Sequence, residues 1–284
     1  MTIKGFQPDA ADEVVASCDR RFAFGENWKS FLVELDAARI TEAEKSLQWL
    51  LGQERLDGLR FLDIGSGSGL SSLAARRLGA LVHSFDFDVD SVECTKLLRD
   101  RYFSGDSHWL VEQGSILDRN YLAKLGPFDV VYSWGVLHHT GAMEEAIENA
   151  SQLVAPGGAF VFALYRKTRL CWLWRLEKRW YVSASPAAQR LACAIYAKLM
   201  HLAFVLLGRN YHAYVATYSG NRGMTFNHSV RDWVGGYPYE SIRPVEVADE
   251  LARLGFAHVR SKVQPYSTGL FGSGCDEYVY RRAG

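Results

Sequence analysis

Phe61-Leu-Asp-Ile-Gly65-Ser-Gly67-Ser-Gly69-Leu70 has the pattern of a short buried strand that runs into a glycine turn and opens a helix. Glycine supplies the dihedral angles of a tight turn and lets a ligand approach the backbone closely. A dinucleotide fingerprint, GxGxxG, would place its last glycine at position 70, where this chain has Leu70. The pattern is GxGxG, so pyrophosphate binding is the weaker interpretation of this turn.

Strand-like and helix-like segments alternate from Leu59 onward. The apolar runs LRFLDI, ALVHSF, HWLVEQ, FDVVYS and GAFVFALY are separated by segments of helical period, such as Val89 to Tyr102. After a helix predicted at Pro244 to Leu254, the runs FAHVRSKV and CDEYVYRR end the chain. This alternation predicts an α/β fold with a doubly wound, mostly parallel seven-stranded sheet.

The alternation stops after GAFVFALY, where a cationic and aromatic stretch intervenes. Because this insert follows the carboxyl end of strand five, we expect it to pack over the ligand crevice as an acceptor lid. An aromatic lead-in, Arg20 to Phe31, and an amphipathic helix, Thr41 to Leu51, are expected to cover the same edge. The predicted parts are an N-terminal helical cover (1–58), the core (59–165), the helical insert (166–240) and a C-terminal helix with a strand pair (241–284).

Composition excludes some classes of partner. The 284 residues hold 32 Lys plus Arg and 32 Asp plus Glu, so no global field favours nucleic acid. The five cysteines are scattered without CxxC spacing, and Met1 to Pro8 lacks the regions of a signal peptide. These features predict a reduced, cytoplasmic protein with no metal site and no nucleic-acid partner.

Four further elements follow the glycine turn at regular spacing. Asp86 ends the second strand, where a carboxylate can bind both hydroxyls of a ribose. Then come Glu112 to Asp118 after the third strand, Phe128 to Thr140, and LVAPGGAFVF around the start of the fifth strand. Asp86 alone suits any cofactor that carries a ribose.

These five elements closely resemble the class I, Rossmann-like S-adenosylmethionine-dependent methyltransferases over roughly residues 59 to 165, and more loosely over the C-terminal strands. Asp232 to Glu240, with Asn221-Arg222-Gly223 before it, is similar to a segment of bacterial type 11/12 small-molecule methyltransferases. The resemblance implies S-adenosyl-L-methionine as cofactor, S-adenosyl-L-homocysteine as product, and an antiparallel last strand.

The resemblance also implies a set of cofactor-binding residues. Asp63 would reach the methionine amino group directly or through water, and the glycine turn, Ser133 and Trp134 would lie beside the methionine part. The Ser115 hydroxyl, the backbone or Asp118 would recognise the adenine amino group. The whole implied set is Asp63, Gly65, Ser66, Gly67, Gly69, Asp86, Phe87, Ser115, Ile116, Ser133 and Trp134.

The acceptor side is predicted from the end of strand four and from the insert. His138 and His139 are candidate catalytic bases because imidazole titrates near neutral pH; alternatively they cap or pack the following helix. The candidate acceptor-binding residues are Arg222, Asp232, Trp233 and Tyr237. Arg222 would clamp a carboxylate or phosphate, or pair internally with Asp232.

The insert also carries an apolar helix pattern at Ala187 to Leu207, next to the cationic, Trp-rich segment Arg166 to Tyr181. We expect a buried lid; weak contact with a membrane surface is the alternative, and Arg190, Lys198 and His201 argue against a membrane span.

The predicted function is methyl transfer by in-line displacement to an O, N or S nucleophile of a small metabolite or of a lipid or sugar intermediate. A sulfonium already activates its methyl group, so the protein must mainly align the nucleophile and exclude water. Two alternatives stay open: a nucleotide-cofactor oxidoreductase on a similar sheet, and a catalytically silent module that binds the cofactor.

Overall fold

Seven strands form one sheet in the order β3-β2-β1-β4-β5-β7-β6. Only β7 runs antiparallel to its neighbours, which confirms the predicted topology. The strands are β1 Arg60–Ile64, β2 Leu81–Asp86, β3 Trp109–Gln113, β4 Phe128–Trp134, β5 Val154–Tyr165, β6 Phe256–Lys262 and β7 Cys275–Arg282.

The computed structural model describes residues 21–22, 24–25, 28, 32, 35–222, 226–265 and 267–284. The side chains at 217, 219–222, 227 and 228 lie outside this description. The helices are α1 Ala37–Leu51, α2 Leu70–Arg77, α3 Val89–Tyr102, α4 Arg119–Leu122, α5 Met143–Gln152, α6 Cys171–Tyr181, α7 Pro186–Leu206, α8 Tyr211–Arg222, α9 Phe226–Gly235 and α10 Pro244–Arg253.

Helices cover both faces of the sheet because its strands carry apolar residues on both sides. Along β5, Phe160 and Phe162 pack with helices α4, α5 and α10, while the intervening Val161 packs with α1, α2 and α3. Successive strand residues point to opposite faces, and parallel sheets are buried on both. Helix α1 begins four residues before the predicted Thr41, because the Asp36 carboxylate accepts the backbone N–H of Arg39 and caps the helix.

The insert forms helices α6 to α9 and contacts the sheet domain. Tyr181, Tyr218 and Phe226 contribute to a small core of its own. The indole N–H of Trp174 donates to the carbonyl of Gly269 at 2.7 Å, tying α6 to the segment between β6 and β7.

The expectation of a buried lid is wrong for α7, which has no buried residue. One side of the helix, which includes Ala192 and Tyr196, packs on the core of the insert. The opposite side faces solvent with Leu191, Ile195, Leu199, Leu202, Val205 and Leu206, which are 49% to 77% exposed. In the described part of the chain, α7 alone is long and apolar enough to cross a membrane by length and composition.

Candidate active site

The glycine turn between β1 and α2 requires its glycines. Gly65, Gly67 and Gly69 have φ angles of +74°, +55° and +80°, in the left-handed region that side chains disfavour. A Cβ on Gly65 would stand 2.5 Å from the methyl groups of Val136, and one on Gly67 would stand 3.0 Å from the Trp28 indole. The turn is therefore closely packed from both sides.

Asp86 lies beside this turn at the carboxyl end of β2. One carboxylate oxygen accepts the backbone N–H of Gly67 at 2.9 Å, and the other accepts that of Asp88 at 2.9 Å. Burial raises the pKa of Asp86 to about 6, although these backbone donors oppose the shift. Since each carboxylate oxygen has two lone pairs, both can still accept a ribose hydroxyl.

Asp63 faces helix α2 from beneath the turn. The hydroxyl of Ser72 donates to its carboxylate at 2.5 Å, Ser72 shares a 2.7 Å hydrogen bond with Ser84, and the Trp109 indole donates to Ser84 at 2.9 Å. Burial raises the pKa of Asp63 to about 7. The structure therefore shows an anchor for α2, and contact between Asp63 and the methionine amino group stays a prediction.

Phe87 and Ser115 differ in exposure and role at the predicted adenine edge. Phe87 is 47% exposed, with the Arg21 guanidinium 5.0 Å from its ring centroid. The Ser115 hydroxyl accepts the N–H of Leu117 at 3.2 Å. One oxygen of Asp118 caps α4 by accepting two backbone N–H groups, and its second oxygen keeps lone pairs for an adenine amino group. Ser115 and Asp118 therefore both stay predicted partners of adenine.

Three other predicted cofactor residues are held by internal contacts. Ile116 packs in the core, and its carbonyl accepts the Asn149 amide at 2.9 Å. The buried Ser133 hydroxyl donates to the carbonyl of Ile64 at 3.2 Å, joining the ends of β4 and β1. Trp134 stacks on Tyr132 with the ring centroids 5.5 Å apart. These contacts fix the floor of the crevice.

The two histidines follow β4 and differ in which ring nitrogen carries the hydrogen. His138 is 1% exposed; its Nδ1 accepts the N–H of Tyr165 at 3.4 Å, which leaves the hydrogen on Nε2. His139 donates from Nδ1 to the carbonyl of Pro238 at 2.6 Å, which leaves a lone pair on Nε2. Burial lowers the pKa of His138 well below its usual range and that of His139 to about 4. Both imidazoles are therefore neutral at neutral pH.

The described part of the aromatic lead-in lies across this edge of the sheet. Arg21 donates to the carbonyl of Thr140 at 3.0 Å, and Gly25 N–H donates to Asp88 at 2.9 Å. The ring of Phe24 is 5.1 Å from that of His139. At these residues the segment contacts the carboxyl edge of the sheet; 20, 23, 26–27 and 29–31 lie outside the described structure.

Two of the four predicted acceptor-binding residues lie near one another in the insert. The Trp233 ring is 5.3 Å from that of Tyr165, at the end of β5. Burial raises the pKa of Tyr165 well above its usual range, and the charge of Asp232 adds a smaller contribution. Tyr237 contributes its carbonyl, which accepts the N–H of Phe22 at 3.1 Å. The Arg222 side chain, and hence its pairing with Asp232, lies outside the described residues.

Sequence reasoning missed Lys178, a fully buried cation beside Trp233. Its ammonium nitrogen is 4.0 Å from the centroid of the Trp233 ring. Cys171, Lys178 and Tyr181 are the buried residues of α6, at the i, i+7, i+10 spacing of one helix face. That periodicity was the available signal, but a lysine in a cationic segment is usually solvated.

Residues 35–203 match the family model described as a methyltransferase domain. The chain therefore belongs to this methyltransferase family, and the predicted class I resemblance is confirmed. It is 30% identical over 123 residues to a ubiquinone biosynthesis O-methyltransferase of Caulobacter sp. (strain K31), covering 41% of this chain and 45% of that protein. A Brucella abortus (strain 2308) protein of the same name is 33% identical over 121 residues, covering 40% of this chain and 44% of that one.

Two solved structures share the fold. Magnesium protoporphyrin IX methyltransferase from Synechocystis PCC 6803, with bound S-adenosylmethionine, has a TM-score of 0.56 at 12% identity, covering 99% of this chain and 100% of that one. A Burkholderia thailandensis N1-methyltransferase with bound 1,6-didemethyltoxoflavin and S-adenosylhomocysteine has a TM-score of 0.53 at 16% identity, covering 99% and 94%. The chain spans less than half of the curated relatives it matches.

Proposed function

We propose that this chain transfers the methyl group of S-adenosylmethionine to a small-molecule acceptor, at an oxygen nucleophile. The observation that carries the proposal is the contact between the glycine turn and Asp86, which joins a close backbone approach to a ribose-binding carboxylate. The two O-methyltransferase relatives support oxygen over nitrogen or sulfur. The oxidoreductase alternative has no support from the methyltransferase family model.

The residues of the crevice fit this cofactor. The backbone of Gly65, Gly67 and Gly69 would contact its methionine part, Asp86 would accept the ribose hydroxyls, and exposed Phe87 would offer a ring face to adenine. The bound cofactor supplies a methyl group already activated on a sulfonium. The chain's own task is then to align the acceptor and exclude water.

The lead-in and the histidines suit that task. Arg21, Phe24 and Gly25 close the carboxyl edge over the crevice. His139 is the better of the two candidate catalytic bases, because its Nε2 keeps a lone pair while Nε2 of His138 carries a hydrogen. A pKa of about 4 nevertheless makes His139 a weak base, so we propose that it mainly orients the acceptor. Asp232, Trp233, Tyr237 and Arg222 remain proposed acceptor residues.

The insert also supports contact with an anionic membrane surface, on a protein we expect in the cytoplasm. Residues 166–209 contain eight Lys or Arg besides the buried Lys178, and one acidic residue, Glu177. Trp172 and Trp180 of α6 are 62% and 52% exposed, and the solvent-facing side of α7 is apolar. Cations together with exposed Trp and Leu are typical of interfacial binding. We expect the protein to sediment with anionic vesicles. The double variant Trp172→Ser plus Trp180→Ser should lose this binding, and Trp49→Ser should keep it. Equal binding to neutral vesicles would contradict the attraction between the cationic insert and anionic lipid.

The proposed function is tested by incubating the protein with methyl-tritiated S-adenosylmethionine and panels of phenols, amines and thiols. We expect label in a phenol or another hydroxyl compound, with formation of S-adenosylhomocysteine. Transfer confined to amines or thiols would contradict the oxygen assignment. Binding of S-adenosylhomocysteine without transfer to any panel or to a metabolite extract would instead favour the catalytically silent module.

A further inference from the structure

The ammonium group of Lys178 is buried and has no hydrogen-bond acceptor among the described residues. It is 0% exposed, and no described residue gives its ammonium a hydrogen-bond partner. Its neighbours are aromatic, with the ammonium nitrogen 4.0, 5.3 and 5.9 Å from the ring centroids of Trp233, Tyr239 and Trp174. Ring faces attract an ammonium but do not replace its three hydrogen bonds. Such a group calls for an explanation.

Two more N–H donors in this cluster have no partner among the described residues, namely Trp233 Nε1 and His138 Nε2. Tyr165 links them, because its ring lies 5.3 Å from that of Trp233 and 4.0 Å from that of His138. His138 and Tyr165 stand at the carboxyl ends of the neighbouring strands β4 and β5. The unmet donors therefore gather on the acceptor side of the crevice, and an anionic oxygen would satisfy them.

The charged groups around Lys178 leave it available to such a ligand. Glu177 on α6 and Asp232 on α9 raise its pKa through charge, but burial outweighs them and lowers that pKa to about 7. Burial also raises the pKa of Glu177 to about 7, and its two oxygens have no described hydrogen-bond donor. His138 and His139 are neutral. A bound anion would raise the pKa of Lys178 and hold it in the charged form.

We propose that Lys178 and the indole N–H of Trp233 bind the reactive hydroxyl of the acceptor as its anion, and that the acceptor is a phenol. This inference rests on the proposed function. A compact ammonium suits a single oxygen, whereas a carboxylate is better matched by the fork of an arginine. A phenol is acidic enough to be held as an anion, unlike an aliphatic alcohol. Its proton leaves to solvent on binding, so the weakly basic histidines need not remove it during transfer.

The test uses para-nitrophenol, whose anion is yellow, added to protein saturated with S-adenosylhomocysteine at a pH below the pKa of the free phenol. We expect the wild-type protein to bind the phenolate and lower the apparent pKa of the phenol by about one unit or more. Lys178→Met should abolish this shift, and Lys198→Met, at an exposed lysine of α7, should leave it unchanged. Trp233→Phe, which keeps a ring but removes the N–H, should weaken binding about three- to tenfold.

Three results would overturn the inference: no colour change with the wild-type protein, an unchanged shift in Lys178→Met, or tighter binding of benzoate than of para-nitrophenol. If Lys178→Met does not fold, Lys178→Gln serves in its place, because it keeps a donor and loses the charge. Titration of S-adenosylhomocysteine on the same samples separates the two proposals. Its failure with the wild-type protein contradicts the proposed function, whereas its success without phenolate binding contradicts only the phenol site.

Discussion

The two sides of the crevice differ in how their buried polar groups are satisfied. On the cofactor side, Asp63, Ser72, Ser84 and Asp86 are all hydrogen-bonded within the chain. On the acceptor side, His138, Lys178 and Trp233 each bury a nitrogen with no partner among the described residues. An unmet buried polar group costs about 1 to 3 kcal/mol, more if charged.

This difference indicates what fixes the geometry of each side of the site. The cofactor side is preorganised by its own hydrogen bonds, so its geometry exists before a ligand binds. The buried donors of the acceptor side lack hydrogen-bond acceptors among the described residues. This is expected of a binding site whose ligand supplies those acceptors. Substitutions should therefore act mainly on cofactor affinity and stability on the first side, and on acceptor binding on the second.

The largest effect expected is that of Asp86→Ala on the affinity for S-adenosylhomocysteine. Losing two charge-assisted hydrogen bonds to the ribose should raise the Kd by about 100-fold or more. Asp100→Ala is the matched control, since Asp100 is an exposed carboxylate of α3. Calorimetry measures both, and equal affinities in the two variants would remove Asp86 from the cofactor site.

The next effect is on stability, at the glycine turn. Gly65→Ala combines a positive φ with a Cβ 2.5 Å from Val136, so we expect it to lower the free energy of unfolding by about 3 kcal/mol. Gly157→Ala has a similar φ of +71° and open space around its Cβ, so about 1 kcal/mol is expected. Urea unfolding compares the two, and equal losses would show that the close approach of Val136 is not a constraint.

A smaller effect is expected in the pH dependence of stability through Asp63. Its folded pKa of about 7 lies above its ordinary value of 3.8, so between these values the folded state binds a proton that the unfolded state has lost. Stability should then fall as pH rises through this window, by up to about 1.4 kcal/mol per pH unit. The loss ends above the folded pKa.

Asp63→Asn removes this titration while keeping an acceptor for Ser72. The free energy of unfolding of wild type minus that of Asp63→Asn should therefore decline between about pH 5 and pH 7. A difference independent of pH over this range would show that the Asp63 carboxyl is not held protonated, and would weaken its role as a buried anchor of α2.

The smallest effect is expected at His139. Because a neutral imidazole of low pKa adds little as a base, His139→Gln should reduce kcat/KM by less than about tenfold. The rate should show no ionisation of this group between about pH 6 and pH 8, since its pKa of about 4 lies below that range. A decrease in kcat/KM of several orders of magnitude would instead show that His139 is an essential base.

Local sequence patterns predicted the sheet, the glycine turn and the position of Asp86 well. The glycines of the turn and the position of Asp86 at a strand end depend on neighbouring residues alone, so their pattern is visible in the sequence. The boundaries of α3 and α10 follow from the same periodicity, which indicated Val89 to Tyr102 and Pro244 to Leu254 against observed ends at Tyr102 and Arg253.

Features that depend on tertiary packing were not accessible in this way. Lys178 is buried because Trp233 and Tyr239, more than 50 positions later in the chain, pack around it. Helix α7 is exposed because the core of the insert is too small to cover both of its sides. Asp63 turns toward Ser72 because its position in β1 faces α2. In each case a partner distant in sequence decides the outcome.

The most direct test of the central claim is isothermal titration of S-adenosylhomocysteine and, separately, of NAD into the wild-type protein. We expect micromolar binding of S-adenosylhomocysteine and no heat from NAD, because Leu70 replaces the last glycine of the dinucleotide fingerprint while Asp86 and the GxGxG turn are in place. Binding of NAD without binding of S-adenosylhomocysteine would contradict the proposed cofactor and favour the oxidoreductase alternative.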